Sequence, residues 1–150
     1  MNGRFSNFCT KFVTNTLLSA PVHSFVTFWP RSAMSHTVLI VEDNADIREI
    51  LEITLSDAGF AVVAAETARQ AMQQLDQLNQ LDLVLADFNL PDGRHLVPDL
   101  KKVRPGLPVI VLSGDAYTAR AALPQADAVL GKPVAGTALV KEVRRLLSAA

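Results

Sequence analysis

From Thr37 onward, short runs of apolar, largely β-branched residues alternate with stretches whose apolar residues recur at helical spacing, and this alternation admits very few architectures. Val38-Leu39-Ile40-Val41 is apolar on both sides of an extended chain, so it reads as a strand buried on both faces. Asn44 can cap a helix with apolar positions Ile47, Ile50, Leu51, Thr54, Leu55 and Ala58, which Gly59 can stop in the left-handed conformation. Phe60 to Ala64 is a second strand, and Thr67 can cap a second helix striped by Ala68, Ala71, Met72, Leu75 and Leu78. A third strand, Leu81 to Ala86, leads to Asp87 and a turn-forming segment ending at Gly93. Leu96 to Val103 makes a third helix, with Pro98 tolerable only in its first turn. Pro108 to Leu112 is the fourth strand, Ala116 to Leu123 a short fourth helix, and Ala128 to Leu130 the fifth strand. Leu139, Val140, Val143, Leu146 and Leu147 stripe the last helix. Strand and helix alternate five times, which predicts an α/β domain with a parallel sheet covered by helices on both sides.

Residues 35–150 suffice for that domain, and residues 1–34 do not share its pattern. They hold five of the seven Phe, Trp29 and the single Cys9, and carry +3, whereas all 15 acids fall at or beyond Glu42 and give residues 35–150 a charge of −4. The apolar stretch Val22 to Trp29 is far shorter than the ~20 residues a membrane span needs. A basic, acid-free N-terminus resembles a transit peptide, but the reading preferred is that translation starts at Met34. Residues 1–33 are then an upstream extension, and residues 1–34 as a whole stand outside the domain as an N-terminal extension, disordered or not part of the native product. One cysteine forms no intramolecular disulfide, so the expected location is cytoplasmic. The near-neutral total charge of −1 predicts neither nucleic acid nor membrane as a partner.

In a parallel sheet of this kind the functional crevice lies beyond the carboxyl ends of the strands. Polar groups stand at those ends: Glu42-Asp43 after strand one, Asp87 after strand three, Ser113 after strand four, and Lys132 just past strand five. Three carboxylates in one crevice repel one another unless a cation compensates, and hard oxygen ligands select Mg²⁺ or Ca²⁺. Mg²⁺ suits an open crevice, because it keeps several waters and accepts phosphate oxygens. A lysine ammonium and a hydroxyl nearby supply positive charge and a hydrogen-bond donor for phosphoryl oxygens, and an aspartate can itself be the nucleophile. The residues alone therefore point to metal-assisted phosphoryl chemistry.

Four segments, Val38-Leu39-Ile40-Val41-Glu42-Asp43-Asn44, Leu85-Ala86-Asp87-Phe88-Asn89-Leu90-Pro91-Asp92-Gly93, Val111-Leu112-Ser113-Gly114 and Lys132-Pro133, resemble in order and spacing a response-regulator receiver domain of two-component signalling. The resemblance implies a flavodoxin-like (βα)5 doubly wound sheet with strand order 2-1-3-4-5. It makes Asp87 the phosphoacceptor, charged by a phosphohistidine on a sensor or hybrid histidine kinase or on a phosphotransfer protein. It implies Mg²⁺ as cofactor, held by Asp43, Asp87 and the main-chain carbonyl of Asn89, with Glu42 acting through a metal-bound water. Ser113 would hydrogen-bond a phosphoryl oxygen and Gly114 would leave room for it. Lys132 would pair with the carboxylate and then with the phosphoryl group, ahead of a cis bond to Pro133. Asn89 and Asp115 resemble positions that tune the rate of phosphoryl loss.

Three departures alter the family's usual output face. Val129 stands where an aromatic usually reports phosphorylation, the stretch from Ser113 to Lys132 is about three residues short, and His95 replaces a usual glycine. The expectation is intact phosphoacceptor chemistry with a modified readout. The sequence ends with the fifth helix, so the expected protein is a stand-alone signalling module, not an enzyme on other substrates. It would act through an unknown downstream protein or as a phosphate sink. The alternative is a non-phosphorylated pseudo-receiver. A haloacid-dehalogenase-like phosphatase would need its nucleophile after the first strand, and a nucleotide-binding enzyme a glycine-rich loop there. Asp57, Asp92, Asp99 and Asp127 read as caps or solvated charges, His95 as an exposed helix-start residue, Tyr117 as a solvated tyrosine, and Lys141, Arg144 and Arg145 as a solvated basic face.

Overall fold

The computed structural model describes residues 35–149, so the expectations for residues 1–34, Cys9 and a start at Met34 lie outside the described residues. Five strands, β1 (Thr37–Val41), β2 (Ala61–Ala65), β3 (Leu83–Asp87), β4 (Val109–Ser113) and β5 (Ala128–Gly131), alternate with five helices. The helices are α1 (Ala45–Asp57), α2 (Ala68–Gln77), α3 (Leu96–Val103), α4 (Ala116–Ala122) and α5 (Gly136–Ala149), and a 3-10 turn, Gly93–His95, leads into α3. All strand pairs are parallel and the order is β2-β1-β3-β4-β5. This is the doubly wound, flavodoxin-like arrangement expected.

Successive strand residues point to opposite faces, and because both faces are covered both sets are apolar. Val38, Ile40, Leu83, Leu85, Ile110 and Leu112 form one core with Leu51 and Leu55 of α1 and Leu139 and Val143 of α5. Leu39, Val41, Val84, Ala86, Val109 and Val111 form the other with residues of α2, α3 and α4, among them Leu75, Leu100 and Ala119. Every residue of β3 and β4 is buried. The centre of the sheet is therefore a rigid platform whose carboxyl ends cannot drift far.

The punctuation of the helices follows the side chains. The Asn44 side chain accepts hydrogen bonds from the Asp46 and Ile47 amides (3.0 and 3.1 Å), and Thr67 accepts one from Gln70 (3.1 Å). Gly59, at φ +93°, closes α1: its amide donates to Ser56 O (2.9 Å) and that of Phe60 to Leu55 O (3.1 Å). That second bond holds Phe60 to the helix end, so β2 starts one residue later than expected. Pro98 is the third residue of α3, where it removes no intrahelical bond.

Two expectations need correction here. Ile50 was placed on the buried stripe of α1 but is 63% exposed, together with Ile53 at 54%, because the face centred on Leu51 and Leu55 turns both outward. Asp127 is neither a cap nor a free charge: its carboxylate accepts from Val109 N (2.7 Å) and Lys101 Nζ (2.6 Å) at the start of β4 and β5. Among the described residues no helix is long and apolar enough to cross a membrane.

Candidate functional site

Strands β3 and β4 run one residue further than the periodicity suggests. Phe88 N donates to Leu112 O (2.8 Å) and Lys132 N to Ser113 O (2.7 Å), so Asp87 and Ser113 are the last residues of their ladders instead of the first residues of loops. Their side chains are aimed by sheet geometry. Glu42, the residue after β1, is pinned in the same way by its amide, which donates to Ala65 O (3.1 Å).

The three acids expected to converge do so. Carboxylate oxygens of Glu42, Asp43 and Asp87 lie within 4.8 Å of one another, with Glu42 and Asp87 buried and Asp43 exposed. Lys132 reaches in from the end of β5, its Nζ 2.8 Å from Glu42 Oε2 and 2.9 Å from Asp87 Oδ1. Burial pulls the ammonium's pKa down, but its contacts with Glu42 and Asp87 outweigh burial and leave it raised above the ordinary lysine value. The ammonium thus bridges the two buried carboxylates, and it is the one polar partner of Asp87 Oδ1. A buried carboxylate oxygen in that condition, beside two more carboxylates, fits a divalent cation or an incoming electrophile.

The remaining predicted residues lie around this centre. Ser113 is buried, and its hydroxyl donates to Asp115 O (2.9 Å) while accepting from Asp115 N (3.1 Å). Contact with a phosphoryl oxygen would require that hydroxyl to turn. A Cβ on Gly114 would meet no atom within 4 Å, so the space there is not filled by the chain. Asn89 sits exposed in the turn after β3. Asp115 caps α4: its carboxylate accepts from the amides of Tyr117 and Thr118 (both 3.1 Å) and from the Thr118 hydroxyl, contacts that hold its pKa below the usual value. The Lys132–Pro133 bond is cis. Val129 is buried, Tyr117 is 87% exposed and His95 is exposed at the start of α3. Arg144 donates to Ala58 O and Arg145 pairs with Glu142, so the basic side of α5 is partly engaged.

Two side chains that motif reading did not single out as functional hold the loops carrying the acids. Arg48, one turn into α1, donates from Nη1 to Glu42 O (2.8 Å) and Asp43 O (3.4 Å), and from Nη2 to Glu66 Oε1 (3.0 Å). A long side chain one turn into a helix leans back over the preceding loop, which is the signal that could have found it. Asp92, read as a cap, caps a helix remote in sequence: it accepts from Ala68 N and Arg69 N (3.0 and 3.1 Å) at the start of α2, and its pKa is lowered. Gly93 beside it is obligatory, since a Cβ there would lie 2.5 Å from Leu90 Cβ.

Comparison with known proteins agrees with this geometry. The pattern that defines the family described as response regulator receiver domain matches residues 38–144. The chain is 32% identical over 123 residues to the transcriptional regulatory protein GlrR of Escherichia coli K12, covering 73% of this chain and 26% of that one. It is 38% identical over 79 residues to the DNA-binding transcriptional regulator NtrC of Rhizobium meliloti, covering 51% of this chain and 16% of that one. The chain thus spans about a quarter of GlrR and about a sixth of NtrC. Among solved structures, a CheY-like receiver domain protein from Methanospirillum hungatei superposes with TM-score 0.71 at 28% identity, covering 77% of this chain and 96% of that one. The response regulator TrrA of Thermotoga maritima, solved in complex with Mg²⁺-BeF, gives TM-score 0.68 at 25% identity and covers 74% of this chain and 98% of that one.

Proposed function

Because the chain belongs to the response regulator receiver domain family, we propose that it accepts a phosphoryl group on Asp87 from a phosphohistidine of a histidine kinase or phosphotransfer protein, in a Mg²⁺-dependent reaction. The observation that carries this reading is the state of Asp87: buried at the end of β3, 2.9 Å from the Lys132 ammonium and beside Glu42 and Asp43, with that ammonium as the one polar partner of its Oδ1. A carboxylate oxygen of Asp87 bonds to phosphorus as the P–N bond to the donor imidazole breaks, the electron pair returning to that nitrogen. Asp43, Asp87 and the Asn89 carbonyl would hold the cation, with Glu42 reaching it through water, and the cation supplies charge that offsets the phosphoryl oxygens. Lys132 moves from a carboxylate-only environment to one that includes the phosphoryl group, and Ser113 turns its hydroxyl from Asp115 O to a phosphoryl oxygen. Ile50 and Ile53, exposed on the helix that starts beside the acid pair, offer the phosphohistidine protein an apolar landing.

The output reading is a receiver with a modified readout, whose phosphorylation alters binding to a downstream protein or drains phosphoryl groups. Support comes from Val129, which removes the usual aromatic reporter, and from the short α4 of Ala116–Ala122. NtrC is named a DNA-binding transcriptional regulator and GlrR a transcriptional regulatory protein, but contact with nucleic acid is not assigned to residues 35–149. Incubation with acetyl phosphate and Mg²⁺ tests the proposal by intact mass. One added phosphoryl group, absent in Asp87→Asn, supports it. No adduct from acetyl phosphate or from any phosphohistidine donor favours the pseudo-receiver.

A further inference from the structure

Neither loop that carries an expected metal ligand is held only by its own strand, and both are tied to the same place. The β1–α1 loop, with Glu42 and Asp43, is tied by Arg48 to Glu66 just after β2, and by the Glu42 amide to Ala65 O (3.1 Å). The β3–α3 loop, with Asn89, is tied by Asp92 to the first two amides of α2, Ala68 and Arg69. Residues 65–69 therefore anchor both loops while offering no ligand of their own.

We propose that Arg48 and Asp92 are positioning residues for the metal centre, bracing its two ligand-bearing loops against the β2–α2 corner. This rests on the functional reading above and adds residues to it. Arg48 keeps only 14% of its side-chain surface exposed, and its guanidinium spans two carbonyls and one carboxylate, a geometry only a planar fork can supply. The Glu42 and Asp43 carbonyls precede that of Asn44, which accepts the first helical amide, Arg48 N (2.9 Å), so the helix itself satisfies neither of them. Without Arg48 they lose their side-chain donor, and the mutual repulsion of the acids is free to push the loop outward. Asp92 acts on the other loop through two amides at a helix N-terminus, where a carboxylate is favoured by the unpaired N–H groups. Glu66, 66% exposed, anchors Arg48 but does not touch the acid loop itself.

Outer partners of metal ligands typically set affinity by tenfold or more. The test is a Mg²⁺ titration of the full chain followed by amide chemical shifts, with thermal midpoint and amide exchange of residues 42–47 measured on the metal-free protein. Arg48→Gln and Asp92→Asn should each weaken Mg²⁺ about tenfold. Arg48→Lys, which keeps the charge and one donor, should restore part of the affinity, and Glu66→Gln should cost less than Arg48→Gln. Arg48→Gln should speed amide exchange of residues 42–47 with Mg²⁺ absent. If both variants bind Mg²⁺ as the parent does while Asp43→Asn does not, the brace is refuted and the metal site stands. If the parent itself shows no saturable Mg²⁺ binding, the functional reading fails first. A tenfold weaker affinity with unchanged exchange in residues 42–47 also overturns the positioning role, because the loop was then never loosened.

Discussion

Replacing Lys132 by Met removes one cation from between two buried carboxylates while keeping most of the side-chain volume. Glu42 and Asp87 keep only 2% and 6% of their side-chain surface in water, and Lys132 keeps 22%. Removing one partner from a buried ion pair costs about 3–5 kcal/mol, because the remaining charge stays buried. Here the ammonium is partly hydrated and the pocket opens to water at Asp43, so a loss of about 2–3 kcal/mol is expected for metal-free Lys132→Met. For a domain of this size that lowers the thermal midpoint by about 10 °C. The same substitution removes the Mg²⁺ competitor that holds Glu42 Oε2 at 2.8 Å. Mg²⁺ should therefore bind the variant more tightly than the parent and return most of the lost stability, since a ligand at 100 times its Kd adds about 2.7 kcal/mol. Differential scanning fluorimetry or calorimetry across a Mg²⁺ series measures both effects. A metal-free midpoint equal to the parent's, or a smaller Mg²⁺ gain in the variant, would refute the reasoning that Lys132 serves as the resident counter-charge of the pocket.

Asp43→Asn should abolish saturable Mg²⁺ binding, read by amide shifts, while leaving the metal-free fold within about 0.5 kcal/mol of the parent, because Asp43 is exposed and outside the Lys132 pairs. Asn44→Ala should cost about 1 kcal/mol in urea unfolding through loss of the α1 cap, with no change in the m-value. Ile50→Ser with Ile53→Ser should slow phosphoryl transfer from a phosphohistidine protein and leave transfer from acetyl phosphate unchanged; equal slowing from both donors would remove α1 from the docking face. The raised Lys132 pKa means its contribution is complete at neutral pH and is lost as pH climbs past the ordinary lysine value of 10.5 through the higher folded value. Urea midpoints of parent and Lys132→Met should therefore converge in strong alkali.

Strand and helix periodicity marked all ten elements, because each strand of this sheet is buried on one or both faces and each helix carries one apolar stripe. Boundaries slipped by a residue where a hydrogen bond crosses the end of an element: Phe60 is claimed by the end of α1, and Asp87 and Ser113 by the ladders of β3 and β4, while β3 starts at Leu83, two residues after the expected Leu81. The converging groups were legible because a parallel sheet gathers its carboxyl ends whatever the sequence separation. Lys132 bonded to Glu42 was not, since pairing with Asp87 alone satisfies the motif, and which buried oxygen an ammonium reaches depends on three-dimensional direction. Asp92 reads from the sequence only as a local cap or solvated charge, and no motif singles out Arg48. Their partners, Ala68, Arg69 and Glu66, sit 18 to 24 positions away, and no periodicity links them. Ile50 failed for a related reason: its spacing fits an apolar stripe, but the centre of the face is set by the sheet beneath Leu51 and Leu55.

The central claim is that Asp87, and no neighbouring hydroxyl or carboxylate, takes the phosphoryl group. After incubation with acetyl phosphate and Mg²⁺, hydroxylamine converts an acyl phosphate to a hydroxamate, which peptide mass mapping can place. A hydroxamate at Asp87 that requires Mg²⁺ and an intact Asp43 is the predicted result. A hydroxamate at Glu42 or Asp43, or a hydroxylamine-stable phosphate on Ser113, would contradict it.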